Sequence, residues 1–128
     1  MIFLDFITRH DDRHLSNFAV KTNHKTRTET FCPLYDNGRS FIYQDNEKTI
    51  ANDWKCPTTF CTTFGSVSTY YDHIKDILTK NPEALSLIDL SISDDEIYGI
   101  MKNSGFNGAK LERIVNWVSN SIKCLREL

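Results

Sequence analysis

Three oxygen-bearing side chains stand out early in the chain. Asp12 and Asn17 lie five residues apart in Thr8-Arg9-His10-Asp11-Asp12-Arg13-His14-Leu15-Ser16-Asn17-Phe18, and Asp36 follows nineteen residues after Asn17. A loop with four intervening residues can turn so that the carboxylate faces an incoming hydroxyl while the amide oxygen faces a divalent cation. A carboxylate so aimed is a general base. Magnesium takes oxygen ligands and keeps several waters, so a few carboxylate or amide oxygens plus phosphates suffice for it.

Protein kinases set a base aspartate and a metal-binding asparagine at this interval, as in H-R-D-x-x-x-x-N, with a further carboxylate for the metal after a hairpin. Asp36 follows a predicted hairpin, in Cys32-Pro33-Leu34-Tyr35-Asp36-Asn37-Gly38-Arg39-Ser40, at the position of the aspartate in D-F-G with Asn-Gly in place of Phe-Gly. The runs Asp-Arg-His-Leu-Ser-Asn-Phe and Pro-Leu-Tyr-Asp-Asn-Gly-Arg-Ser closely resemble the catalytic loop and metal-binding segment of HipA-type toxin kinases. Those are bacterial serine/threonine protein kinases, distantly similar to the phosphoinositide-kinase fold. The resemblance implies Asp12 as catalytic base and Asn17 and Asp36 as Mg²⁺ ligands. It sets His14 and the segment 35–38, with Tyr35, Asp36 and Gly38, against the nucleotide. Mg²⁺ and ATP are the cofactors it implies, and a protein hydroxyl the acceptor. The match covers residues 2–40.

Taken singly, each piece has a plainer reading. Asp-rich loops cap helices and solvate turns, so Asp11 beside Asp12 can do only that. His10 and His14 alone read as surface or hydrogen-bonded histidines, and Asp36-Asn37-Gly38 alone as a turn. Their order, with the hairpin between, favours kinase ancestry.

The resemblance also requires parts that do not precede the loop. A kinase needs a glycine-rich loop over the phosphates and a strand lysine paired with a helix glutamate. All five glycines (Gly38, Gly65, Gly99, Gly105 and Gly108), the first lysine, Lys21, and the first glutamate, Glu29, come after Asp12. We therefore expect an N-terminal ATP-binding lobe to be absent here and ATP binding by this chain alone to be very weak, because one wall of the nucleotide site is missing. The expected partners are a chain supplying that lobe, or an antitoxin of the kind HipA-type toxins pair with. If a separate lobe docks here, an exposed apolar patch near the loop should receive it, drawn from residues 1–6 or from Phe41 and Tyr43.

The elements that must position these residues read as a single, mainly α domain of the α+β class over residues 1–128, like a kinase C-terminal lobe with a small β-hairpin after the catalytic loop. Residues 2–8 are apolar enough for a buried helix, with no capping residue ahead of it. Two β-type runs, 17–22 and 26–31, flank Asn23-His24-Lys25 as a short hairpin. Residues 33–65 look mostly irregular, with turn or breaker signals at Asn37-Gly38 and Cys56-Pro57. Val67, Tyr70, Tyr71, Ile74, Ile77 and Leu78 form one helical stripe ended by Asn81-Pro82. Ser93-Asp94-Asp95-Glu96 is a capping box opening a helix to about Lys102. Leu111, Ile114, Val115, Val118, Ile122 and Leu125 line a last helix starting near Asn107.

Composition narrows the class. The charge is 15 − 17 = −2 over 128 residues, with 40% hydrophobic and 25% charged residues, which suits a soluble globular protein and not a polybasic nucleic-acid binder. Lys110, Arg113, Lys123 and Arg126 of the last helix are offset by Glu112 and Glu127, and no direct nucleic-acid contact is expected. No apolar run approaches the ~20 residues of a membrane span. Residues 1–6 are too short for a signal-peptide core and are interrupted by Asp5, so the expected compartment is cytoplasmic. Cys32, Cys56, Cys61 and Cys124 then read as free thiols. A zinc site from Cys56, Cys61 and His73 would have only one loose ligand pair. The competing function is a non-catalytic, pseudokinase-like module that binds a protein, for which Trp54, Phe60, Phe64, Tyr70 and Tyr71 could furnish an aromatic surface if they are not core.

Overall fold

The computed structural model describes residues 1–10, 12–41, 60–61 and 68–128. In chain order these form α1 (Ile2–Ile7), a 3-10 turn (Leu15–Asn17), β1 (Val20–Asn23), β2 (Thr28–Phe31), β3 (Phe60–Cys61), β4 (Ser68–Thr69) and α2 (Tyr70–Lys80). A second 3-10 segment (Pro82–Leu87), α3 (Asp94–Asn103) and α4 (Gly108–Arg126) complete the order. The described residues are thus mostly helical, with β1–β2 and β3–β4 as two separate antiparallel ladders. The α+β class is as expected from the sequence.

Two helices, α2 and α3, open on reciprocal side-chain caps. Thr69 opens α2 with a reciprocal cap, its hydroxyl accepting from Asp72 N at 3.1 Å while Asp72 Oδ2 accepts from Thr69 N at 3.1 Å. Ser93 and Glu96 do the same for α3, at 3.3 and 2.8 Å. These pairs satisfy backbone donors that the first helical turn leaves without partners. They also hold the Asp72 and Glu96 carboxyls below the usual carboxylate range, through hydrogen bonds from Thr69 and Ser93 respectively. Pro82 sits just past α2 and ends it as predicted.

The core has two parts. Phe6, Tyr70, Ile74, Cys124 and Leu125 join α1, α2 and the end of α4. Ile97, Ile114, Val118 and Ile122 join α3 to α4. Ile7 and Leu90 pack against both clusters, so α1 is wedged between them. The predicted stripe of α4 is the buried one, except that Val115 is only half-buried. Tyr70 is fully buried core and so offers no contact surface.

Two expectations are corrected. The hairpin strands are shorter than 17–22 and 26–31: Val20 pairs with Phe31 and Asn23 with Thr28, around a four-residue turn. Asn23 Oδ1 accepts from Lys25 N and Thr26 N at 3.0 and 3.3 Å, and Arg27 takes a left-handed φ of 54°. The asparagine side chain thereby replaces backbone pairing at the tip, while Asn17 belongs to the preceding 3-10 turn. Secondly, the residues of α1 that are buried are Asp5 and Phe6, whereas Leu4 is exposed. Within 33–65, read as mostly irregular, Phe60 pairs with Thr69 and Cys61 with Ser68. Asp11, Tyr43, Trp54, the Cys56-Pro57 breaker, Phe64, Gly65 and Val67 lie outside the described residues, as does the Cys56 half of the zinc reading.

Candidate metal and base site

The site begins at the end of α1, where the chain must reverse. His10 N donates to Asp5 O at 2.8 Å and Arg9 N to Phe6 O at 3.3 Å, the pair of bonds that closes a helix through one left-handed residue. Glycine usually takes that position. Here Arg9 does, at φ 52°, which costs about 1 kcal/mol or more for an L-residue. Its guanidinium lies 5.1 Å from the centroid of the Trp117 ring on α4, a contact that offsets part of the strain. The reversal delivers His10 into the interior, where Arg13 and Asn17 are also buried.

His10 is fully buried. Its Nδ1 accepts from Asp12 N at 3.2 Å, and its Nε2 lies 2.9 Å from Asp36 O. Because Nδ1 is used as an acceptor, the proton resides on Nε2, which donates to the Asp36 carbonyl. One neutral imidazole therefore spans the candidate base segment and the candidate metal segment.

Arg13, one residue after the candidate base, is 1% exposed. All five N–H groups of its guanidinium are engaged. Nε and Nη2 grip Asp5 Oδ2 and Oδ1 at 3.0 and 2.8 Å, and Nη2 also donates to Asn37 Oδ1 at 2.6 Å. Nη1 donates to Asn17 O at 3.3 Å and to Tyr35 O at 2.9 Å. Asp5 is likewise 1% exposed, so the ion pair is buried on both sides. The hydrogen bond to Asp5 raises the Arg13 pKa above its already high ordinary value, against the opposing effect of burial.

Asn17 is 1% exposed and donates Nδ2 to Asp36 Oδ2 at 3.0 Å. A carboxylate accepts only, so the amide must present its nitrogen there and turn its oxygen away. That oxygen, Asn17 Oδ1, is buried and has no hydrogen-bond partner among the described residues. Asp36 itself is exposed and left-handed, at φ 57°. The chain thus brings Asn17 and Asp36 together over their separation of nineteen residues.

The other predicted residues take more peripheral places. Asp12 is half-exposed, and its carboxylate lies 3.5 Å from an Arg39 guanidinium nitrogen. His14 is exposed, as is Gly38. Tyr35 is exposed on its ring side and donates its hydroxyl to Ser16 O at 2.7 Å, tying the metal segment to the 3-10 turn. The Asn37-Gly38 turn is present, closed by Ser40 N donating to Asn37 O at 3.0 Å.

Among the described residues no three His, Cys, Asp or Glu side chains gather as a metal cluster. The Asn17–Asp36 pair is of another kind: one amide oxygen lacking a donor and one carboxylate. Such a pair would suit a hard cation whose other ligands are phosphate and water, not zinc, once the Nδ2–Oδ2 bond opens and the amide turns its oxygen toward Asp36. An amide oxygen buried without a partner is costly unless something occupies it. Sequence reading missed Asp5, Arg13 and Asn37, and treated His10 as incidental. The one available signal was Asp5, a carboxylate within an apolar run, which if buried must have a cationic partner. Compared with known protein families, curated proteins and solved structures, the chain matches none of them.

Proposed function

We propose that this chain is the base- and metal-bearing lobe of a HipA-like serine/threonine kinase. On this reading it passes the γ-phosphoryl group of Mg²⁺-ATP to a protein hydroxyl once it is joined to a lobe carrying the glycine-rich loop and strand lysine, and it is nearly inactive by itself. The carrying observation is Asn17 Oδ1, buried without a partner beside the Asp36 carboxylate. Each residue then has a task. Asp12 accepts the hydroxyl proton as the new oxygen–phosphorus bond forms and the bond to ADP breaks. Asn17 and Asp36 offer oxygens to the cation, and His14, Tyr35 and Gly38 line the nucleotide side. Bound Mg²⁺ supplies positive charge against the β- and γ-phosphates. The proposed setting is cytoplasmic, with an antitoxin as a further partner. None of the described helices is long and apolar enough to cross a membrane.

A second reading is a pseudokinase-like module that binds a protein without chemistry. Every residue of β1 and β2 is exposed, and the cross-strand pair Val20 and Phe31 remains 55% and 54% accessible. An apolar pair open to water beside the site suits a docking partner under either reading.

Thermal unfolding with increasing Mg²⁺ or Mn²⁺ separates the two. The kinase-lobe reading expects stabilisation that grows logarithmically at millimolar metal and disappears in Asp36→Asn. No metal-dependent shift at 10 mM in the wild type would reject the metal site and leave the binding module.

A further inference from the structure

We infer that Arg13, backed by Asp5, is a positioning residue that sets the geometry of the Asn17–Asp36 pair and couples metal binding to the seating of α1. The inference rests on the reading of that pair as a metal site, and names what controls it.

Conformational strain locates the need. Asp36 stands in the left-handed region at φ 57°, which aspartate enters more readily than most L-residues but still at a cost that its surroundings must offset. The surroundings do so here. The loop takes hold of three successive residues: Tyr35 through its carbonyl by Arg13, Asp36 through its carbonyl by His10 and its carboxylate by Asn17, and Asn37 through its side chain by Arg13. Arg13 is the member that grips both flanks of Asp36. It also holds Asn17 O, so the same planar group fixes the backbone behind each candidate ligand.

Stability alone gives no reason for the arrangement, because a buried ion pair is generally no more stabilising than apolar residues of the same volume. Geometry does give a reason. A guanidinium is a rigid fork, and with all five N–H groups engaged it transmits the orientation of its anchor. That anchor, Asp5, lies on α1, whose neighbour Phe6 is buried against Tyr70, Ile74, Cys124 and Leu125. If α1 is fully seated, Asp5 aims Arg13 and Arg13 sets Asp36. If α1 shifts, the strained residue is released. By thermodynamic reciprocity, a cation on Asn17 and Asp36 must hold α1 in place.

Mn²⁺ titration followed by electron paramagnetic resonance tests this in the full chain. Asn37→Ala is the first variant, since Asn37 is exposed and its loss removes one Arg13 bond without uncovering a buried charge. We expect about tenfold weaker Mn²⁺ binding, in the range found when residues behind a metal ligand are removed, with the melting temperature lowered only as far as one lost guanidinium partner requires. Arg13→Lys, with three donors in place of the fork, should weaken Mn²⁺ at least as much wherever it folds. Hydrogen exchange of the α1 amides should slow on adding Mn²⁺ to the wild type, and less so in Asn37→Ala. Mn²⁺ binding in Asn37→Ala within twofold of wild type, with α1 exchange responding equally, overturns the positioning role while leaving the metal site standing. A wild type that binds no Mn²⁺ overturns both.

Discussion

Asn17 and Asp36 share one hydrogen bond, Nδ2 to Oδ2 at 3.0 Å, and that bond fixes the direction in which the asparagine oxygen points. With its nitrogen committed to a carboxylate, the amide has no freedom to turn its oxygen toward any protein donor. That oxygen is buried without a partner, and under the proposed metal reading its cost would be recovered when a cation arrives.

Replacing Asn17 by aspartate converts this bond into a repulsion. Two carboxylates would then face one another at hydrogen-bond distance, and Asn17→Asp should be destabilised at neutral pH by about 1–3 kcal/mol. Lowering the pH toward 5, or adding millimolar Mg²⁺, should restore much of the loss. Chemical denaturation at the two pH values, with and without metal, reads the effect directly.

Breaking the buried pair should be far worse than replacing it. Arg13→Met leaves Asp5 buried without a counter-charge and should cost about 3–5 kcal/mol. The double variant Asp5→Leu with Arg13→Met should recover most of that stability. Urea unfolding of the wild type, the single and the double variants gives the cycle. The recovered double variant should still lack metal-dependent stabilisation, which separates folding from site assembly.

The capping boxes predict a pH dependence. The carboxyls of Asp72, Asp89 and Glu96 are held low by hydrogen bonds in the folded chain. Their contribution is therefore fully present above the ordinary carboxylate value of about 4 and is lost as the pH falls through the depressed folded values. Ser93→Ala should cost about 1 kcal/mol near neutrality and flatten the acid limb. Melting temperatures from pH 7 to pH 2 check both the size and the sign.

Among the described residues, the hairpin rests on little besides its own ladder. Phe18 stacks on Phe31 with ring centroids 5.8 Å apart, and two isolated strands are marginal in water. Phe31→Ala should raise amide exchange throughout β1 and β2 by the equivalent of about 0.5–1.5 kcal/mol, with α4 unaffected. Uniform loss of protection across the chain would instead mean that the hairpin is part of the global unfolding unit.

How much of this was readable beforehand follows from range. Helix ends and stripes are local, so Asn81-Pro82, the Ser93–Glu96 box and the Leu111-to-Leu125 face could be read from spacing. The interval from Asp12 to Asn17 is local too, and the meeting of Asn17 with Asp36 required only that the intervening run fold back as a hairpin. What could not be read was the support. Arg13 reaches Asp5, Tyr35 and Asn37 across 8, 22 and 24 residues, and nothing in a string of letters distinguishes a buried guanidinium from an exposed one. The hairpin's register was misread for a similar reason: a side chain, Asn23, does the work of a backbone turn, and a left-handed arginine stands where glycine is usual. Arg9 hides the end of α1 in the same way.

The seating of α1 has a consequence for synthesis. Phe6 belongs to the same cluster as Cys124 and Leu125, so the resting place of α1 is completed by residues synthesised long after it. A chain still on the ribosome, with the end of α4 inside the exit tunnel, cannot anchor Asp5 and so cannot aim Arg13. Whatever Asn17 and Asp36 hold, they are assembled to hold it only after Leu125 has emerged.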